Sequence, residues 1–319
     1  DRAAFFLDLG LQRDLIPQTS PGIGSDTTGG ADSVGVGFRY ASAQRFQQIL
    51  ADSFGVAAGD FEAAPFRQPS GNLFAKITLQ PGVNQRLEVS HNFAHGNPED
   101  PGTRIPYDRY ALTSNGARYP GTVNATRLAW VMTPGSGLSN ELNLAYLRVR
   151  EECQPPEHFP EVWVRADAGF LTAGDQEFCS VNYSNQDVWE LTENLSWSRG
   201  SHQFTLGTHD ELIRTRRSTL LEPLGGWLFG NLDSLAAGLP KYFIRTVLNP
   251  LRPEGPVSDL GVNQVGFYAQ DRWSVSPQLA LTVGLRFDVP FFTSAPVQNP
   301  QLATDLGIDN SRTPSGNLL

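Results

Sequence analysis

Long hydrophobic runs are missing from this 319-residue chain. The longest are of the order of Ala3–Leu7 (AAFFL), far short of the ~20 apolar residues that an α-helical membrane span needs. A helical membrane protein is therefore excluded. A transmembrane β-barrel is not, because its strands alternate and leave the average polar. The mean hydropathy of -0.29 suits such a barrel or a soluble protein. Charge is scarce, at 18% of residues, against about 25% in ordinary soluble domains. Basic residues number 24 against 33 acidic ones, a net charge of -9, which argues against a duplex nucleic-acid partner. Lysine occurs only at Lys76 and Lys241, which reads as coding bias rather than chemistry. A basic segment leading into an apolar one is missing from the N-terminus, so no signal peptide is read. Asp1 falls in what reads as mid-strand and Leu319 in a loop-like stretch (NSRTPSGNLL). Both ends read as cuts, and a fragment of something longer is expected.

Catalytic signatures are also missing. The chain has no G-x-S-x-G elbow, P-loop, G-x-G-x-x-G after a strand, or H-E-x-x-H. His91 and His95 are four apart on a strand running into a turn, so they do not share a helical face, and His202 and His209 flank one strand. Pairs such as Glu99-Asp100 and Glu151-Glu152 read as solvated loop faces. No catalytic residue, metal site or cofactor is expected, and an enzyme is the least favoured class.

Only two cysteines are present, Cys153 and Cys179, both in polar sequence (EECQPPEHFPE and GDQEFCSVNYS). Neither has a His at zinc-ligand spacing. A disulfide pinning a long exposed loop in an oxidising compartment is favoured over two free thiols. Closing such a loop is worth about 3 kcal/mol in the chain-entropy model.

What is abundant is turns, with 31 Gly and 23 Pro, and alternation between them. From Gln278 the chain reads QLALTVGLRFDVPFF. Leu279, Leu281, Val283, Leu285, Phe287 and Val289 fall on one face, and Ala280, Thr282, Gly284, Arg286 and Asp288 on the other, as in a strand with one apolar face. An eleven-residue strand matches a tilted membrane-spanning strand better than the 5–6 residues usual in globular sheets. Residues 262–275 alternate likewise and pair with it across Ser276-Pro277. Further hairpins join 72–80 to 86–94, 123–132 to 138–150, and 188–199 to 203–214; 2–9 reads as another strand. Turns inside hairpins are short, whereas the connections at roughly 11–70, 94–121, 151–186 and 215–261 are long. That asymmetry marks an outer-membrane barrel rather than a soluble sandwich. Two connections carry short helices, at 42–53 and 232–239. Trp130, Trp189, Trp197, Phe204 and Trp273 sit near strand ends, where membrane-interface girdles form.

Particular residues go further. Val265–Trp273 (VGFYAQDRW) followed by Leu279–Asp288 (LALTVGLRFD) resembles the "yAQDxW…LTLxxGLRYD" hairpin of TonB-dependent outer-membrane receptors. The nearest branch is the one with a carboxypeptidase-regulatory-like domain before its plug. Asp1–Phe6 is similar to the "KDRxFFF" strand, Asn72–Lys76 to the "N-x-x-x-K-x-D" strand, Gly200–Gly207 to "GxHxLKFG", and Phe229–Pro240 with Arg245–Val247 to the "F…LxDFLxGxP" segment. The order is kept over most of the chain. The family's plug, TonB box and final aromatic-ended strand have no counterpart here, and about ten strands are read where such transporters have 22. The resemblance therefore implies an all-β, antiparallel, partial transmembrane barrel spanning 1–319, a slice with two unpaired edges. It implies the bacterial outer membrane, its lipid as partner, TonB acting through the missing plug, and uptake of a scarce small solute, glycan or peptide. A surface lipoprotein capping the barrel is a further partner class in such a family. Solute contacts are expected among lumen-facing Tyr268, Gln270, Arg272, Arg286 and Asp288, although most such side chains hold the plug or face water. Two rivals remain at this point. One is a passive porin-like or adhesive outer-membrane barrel. The other is a soluble β-rich binding module, which needs Leu279, Val283 and Phe287 packed against a second sheet.

Overall fold

The computed structural model describes residues 2–17, 23, 37–62, 64–105, 108–135, 137–247, 257–293 and 300–308. Nine long strands form one antiparallel meander: β1 (Ala3–Ile16), β2 (Phe66–Gly82), β3 (Gln85–Gly96), β4 (Gly121–Gly135), β5 (Leu138–Glu152), β6 (Tyr183–Arg199), β7 (His202–Ser218), β8 (Val257–Ser276) and β9 (Leu279–Phe292). Each pairs with its neighbour in sequence. The alternation of the sequence thus yields nine long strands among the described residues, where about ten were expected for the chain. The sheet stays open, with β1 and β9 at its edges.

Register fixes which side chains share a face, because residues directly opposite in an antiparallel pair lie on the same side. Across β5, β6, β7 and β8 one such row is Leu138, Trp197, Phe204 and Asp271. Further from the short turns comes Leu144, Leu191, Asp210 and Val265, and then Tyr146, Trp189, Leu212 and Asn263. This face continues into Leu281–Val289 of β9 and Phe5, Leu7 and Leu9 of β1. It is the face expected to meet lipid: Leu279, Val283 and Phe287 are 58%, 61% and 67% exposed, with no second sheet against them among the described residues. Its polar members bond to one another, Asn140 to Glu193 and Thr208 to Asp210, which lowers their cost in hydrocarbon.

Trp130, Trp197, Phe204 and Trp273 gather toward the short-turn end. Trp197 stacks on Phe204 at 5.2 Å, and His202 stacks between Phe204 and Trp273. Trp189 belongs to the opposite belt, stacked on Tyr146 at 4.5 Å.

The buried core lies elsewhere, in the long connections. Helix α1 (Tyr40–Phe54) occupies the first of them, ending on Gly55 in the left-handed conformation. Its Phe46, Ile49 and Leu50 face inward, as their helical spacing dictates. Short strands from the other three connections assemble a second, six-stranded sheet: Tyr242–Ile244, Gly226–Phe229, Glu161–Ala166, Gly169–Ala173, Arg109–Ala111 and Arg104–Ile105. Helix α2 (Leu232–Ala236) is capped by Asn231, whose side chain accepts from Ser234 N while Ser234 Oγ accepts from Asn231 N. Phe38, Phe46, Leu50, Tyr110, Leu112, Val164, Leu171 and Leu235 form one continuous cluster. Cys153 and Cys179 are disulfide-bonded, tying the end of β5 to the chain just before β6. A third helix, α3 (Pro300–Leu306), follows β9.

Candidate functional site: the lumen mouth beneath the folded loops

The inner face of the sheet is the polar one. In the register it carries Tyr268, Gln270 and Arg272 of β8 and Arg286 and Asp288 of β9. Three of these come together. Arg286 holds Asp288 at 2.8 Å and lies over the Tyr268 ring, 5.5 Å from its centre. Tyr268 Oη donates to Asn194 Oδ1 at 2.6 Å, reaching across β7 to β6. It crosses at Gly207, where a β-carbon would overlap the ring; glycine is required there for lack of a side chain. Gln270 and Arg272 are exposed, nearer the short turns. Close by, His209 Nδ1 bonds to Thr192 Oγ1 at 2.9 Å, and its Nε2 lies 3.3 Å from Glu211.

A second concavity lies at the other end. A cavity of about 880 Å³ opens where the inner face meets the loops. Its walls are the upper ends of β2–β7, including Asn72, Val123, Glu151, Ser184 and Arg217; its roof includes Pro98, Tyr119, Cys153, Phe178 and Thr219. Arg217 stands ten positions along β7 from Gly207, about 33 Å at 3.3 Å per residue. The expected lumen residues therefore do not line this cavity. Its lining escaped sequence reading because Asn72, Glu151 and Arg217 fall at strand ends, where alternation gives way to turn-rich sequence. The Tyr119 hydroxyl is pushed above its ordinary range by burial and by Asp100, so it remains a neutral hydrogen-bonding group.

Behind the roof, three loops meet at a buried polar knot. Asn115 Nδ2 donates to Glu161 Oε1 at 2.8 Å and to Gly174 O at 3.1 Å, and Thr172 Oγ1 donates to Asn115 Oδ1. Glu161 is fully buried, and its Oε2 has no hydrogen-bond partner. Burial pushes its carboxyl above the usual range. The neighbouring Glu222 is pushed up to about 8 by burial, then by Glu161, Glu177 and Asp175. At neutral pH this pair retains a proton. A smaller apolar groove of about 310 Å³ lies between α1 and α2, lined by Leu50, Phe54, Val162, Trp227, Phe229 and Leu235.

Comparison with known proteins agrees with this architecture. Residues 55–312 match the family model described as "Outer membrane beta barrel domain". Among solved structures, the outer membrane transporter YddB from Escherichia coli matches at 11% identity with a TM-score of 0.55, over 91% of this chain and 32% of its own. The copper transporter OprC matches at 13% identity with a TM-score of 0.44, over 76% of this chain and 32% of its own. The chain thus spans about a third of the length of either structure. No curated protein matches it in sequence. The soluble-module reading is set aside by the family match and by the exposed apolar face. The chain belongs to the outer membrane beta barrel domain family of the bacterial outer membrane.

Proposed function

We propose that this chain is part of a barrel that takes up a scarce solute, energised through TonB, and that it performs no covalent chemistry. The observation that carries the reading is the 880 Å³ cavity between the inner face and a roof of folded loops. A passive pore needs a clear mouth, whereas a capture site needs a concave, partly apolar pocket with a few placed polar groups. Glu151 and Arg217 supply opposite charges at its wall, and the Tyr268–Arg286–Asp288 group supplies a second polar station deeper on the same face. A plug and TonB belong to the proposal through the family resemblance of the β8–β9 hairpin.

The test is accumulation of a labelled panel of iron chelates, cobalamin, oligosaccharides and peptides by cells expressing the full-length protein, with and without TonB. Uptake of one class that disappears without TonB, and falls at least tenfold in Arg217→Ala, supports the reading. Uptake that persists without TonB assigns a passive barrel instead.

A further inference from the structure

One row of the register crosses the 880 Å³ cavity. It reads Ser70, Gly96, Gly121, Glu151, Ser184 and Arg217, one residue from each of β2 to β7, and all of them line the cavity. The others being glycine or serine, only Glu151 and Arg217 reach far from this wall. Both are exposed. Neither side chain forms a hydrogen bond or ion pair among the described residues. By contrast, Arg150, Arg214 and Arg286 hold Asp187, Asp259 and Asp288.

Strand spacing keeps the two charges apart. Adjacent strands lie about 4.8 Å from one another, so the backbones of Glu151 and Arg217 are about 10 Å apart, with Ser184 between them. Glu151 also leans the other way, since a β-carbon at Gly121 would meet its Cγ at 3.6 Å, on the side remote from Arg217. The remaining charged or titratable side chains of the lining are Glu152 and His95. Each is one position off the row and so projects to the other face of its strand. Glu152 accepts from Gln154 Nε2 at 2.5 Å, and His95 Nδ1 bonds to Gly121 O at 3.0 Å. The roof contributes the rings of Tyr119 and Phe178, 41% and 52% exposed.

We propose that this cavity binds a short linear peptide of about three residues with both ends free, its ammonium at Glu151 and its carboxylate at Arg217. The inference rests on the capture reading of the cavity, not on TonB. An extended chain spans at most about 3.3–3.6 Å per residue, so the ends of a tripeptide match two opposite charges about 10 Å apart. A single amino acid carries both charges on one carbon and cannot meet both. The guanidinium fork takes a carboxylate in two parallel bonds. Ser184 lies midway, where the peptide's amides pass, and the roof rings offer apolar surface to its side chains. An uncharged oligosaccharide would leave both Glu151 and Arg217 unanswered as it displaced their water.

The test equilibrates the intact full-length protein in nanodiscs with matched libraries of tripeptides bearing uncharged side chains, either free, N-acetylated or C-amidated. Bound peptide is counted by mass spectrometry for the wild type, Glu151→Gln and Arg217→Gln. Expected is retention of the free library and about a tenfold loss on blocking either end, the worth of one charge-assisted bond. Glu151→Gln should no longer distinguish free from acetylated peptides, yet still reject amidated ones; Arg217→Gln should do the reverse. Weakening without that crossed pattern, which mere damage to the loops would give, overturns the proposal. So does a failure to retain any tripeptide by protein that keeps the gel shift of a folded barrel. An iron chelate or oligosaccharide retained instead, and weakened by Arg217→Gln, overturns the peptide and leaves the capture reading standing. The crossed pattern together with uptake that persists without TonB supports the peptide site and overturns only the energised reading.

Discussion

Replacing Glu222 by Gln tests the buried carboxyl pair directly. Glu222 is almost wholly buried beside Glu161, and its backbone is held in place by the N–H that donates to Glu177 O at 2.8 Å. Its value in the folded protein, about 8, stands against an ordinary 4.5. A carboxyl raised in this way contributes most below the unfolded value, and the contribution is lost as pH rises through the folded one. At 1.36 kcal/mol per pH unit the ceiling is about 5 kcal/mol for the pair. Relaxation of the turn around Glu222 brings the expected loss to about 2 kcal/mol between pH 5 and 9. Glutamine keeps the shape and cannot ionise. Amide hydrogen exchange over 113–116, 159–164 and 222–228 of the intact protein, corrected for intrinsic rate, follows the local opening. Wild-type protection should fall from pH 5 to pH 9, while Glu222→Gln, left with Glu161 alone, should fall less and exceed wild type at pH 9. Parallel profiles for the two proteins would refute the reasoning, because nothing else would then distinguish them above pH 8.

Three further outcomes follow from the geometry. Cys153→Ser/Cys179→Ser opens a loop of sequence separation 26 and should cost about 3 kcal/mol locally, seen as faster proteolysis within 154–182 with β5 and β6 unchanged. Gly207→Ala pushes the Tyr268 ring off its strand and breaks the bond to Asn194. A loss of about 1–3 kcal/mol is expected, read from the urea midpoint of the folded band on a gel and largely recovered in Gly207→Ala/Tyr268→Ala. Phe287→Arg places a charge near the middle of the lipid face and should cost about 2–4 kcal/mol; Thr282→Arg, on the inner face, should cost much less by the same assay.

The strands were legible because a membrane barrel leaves its pattern in one face only. Leu279 to Val289 alternate for eleven residues, since lipid demands apolar side chains at every second position and the lumen does not. The loop sheet left no such mark. Glu161–Ala166 (EVWVRA) and Gly169–Ala173 (GFLTA) are short, and both of their faces are largely covered, so alternation is absent. Their partners are also remote in sequence. Phe170 lies parallel to Arg109, and Trp163 parallel to Leu228, pairings that no local rule announces. Glu161 is the sharpest case. A glutamate opening an apolar run reads as a solvated end, and only the meeting of three connections buries it against Asn115. The disulfide was legible because two cysteines admit a single pairing. The cavity was not, because its walls come from six strands, each contributing only its last turn-like residues.

The two halves of this molecule are stabilised by different solvents, and that separation bears on capture. The largest fully buried side chains, Tyr110, Phe38, Phe46, Leu50, Leu112, Leu171 and Leu235 among them, all lie in the connections. The strands bury little: Leu279–Phe292 is exposed along its whole length, and Phe5 is 85% exposed. In water such a sheet has no hydrophobic reason to persist; in a bilayer its apolar face needs no protein partner, because the backbone pairs within the sheet and lipid covers the rest. The loops, by contrast, pack a core that functions in water. Opening of the loops therefore need not disturb the strands, and local free energies can differ between them. If the proposed uptake holds, a roof that can open while its walls stay fixed would serve the cavity at the lumen mouth. Beside that core, the Glu161–Glu222 knot and the Cys153–Cys179 bond add to the stability of the roof independently of the membrane.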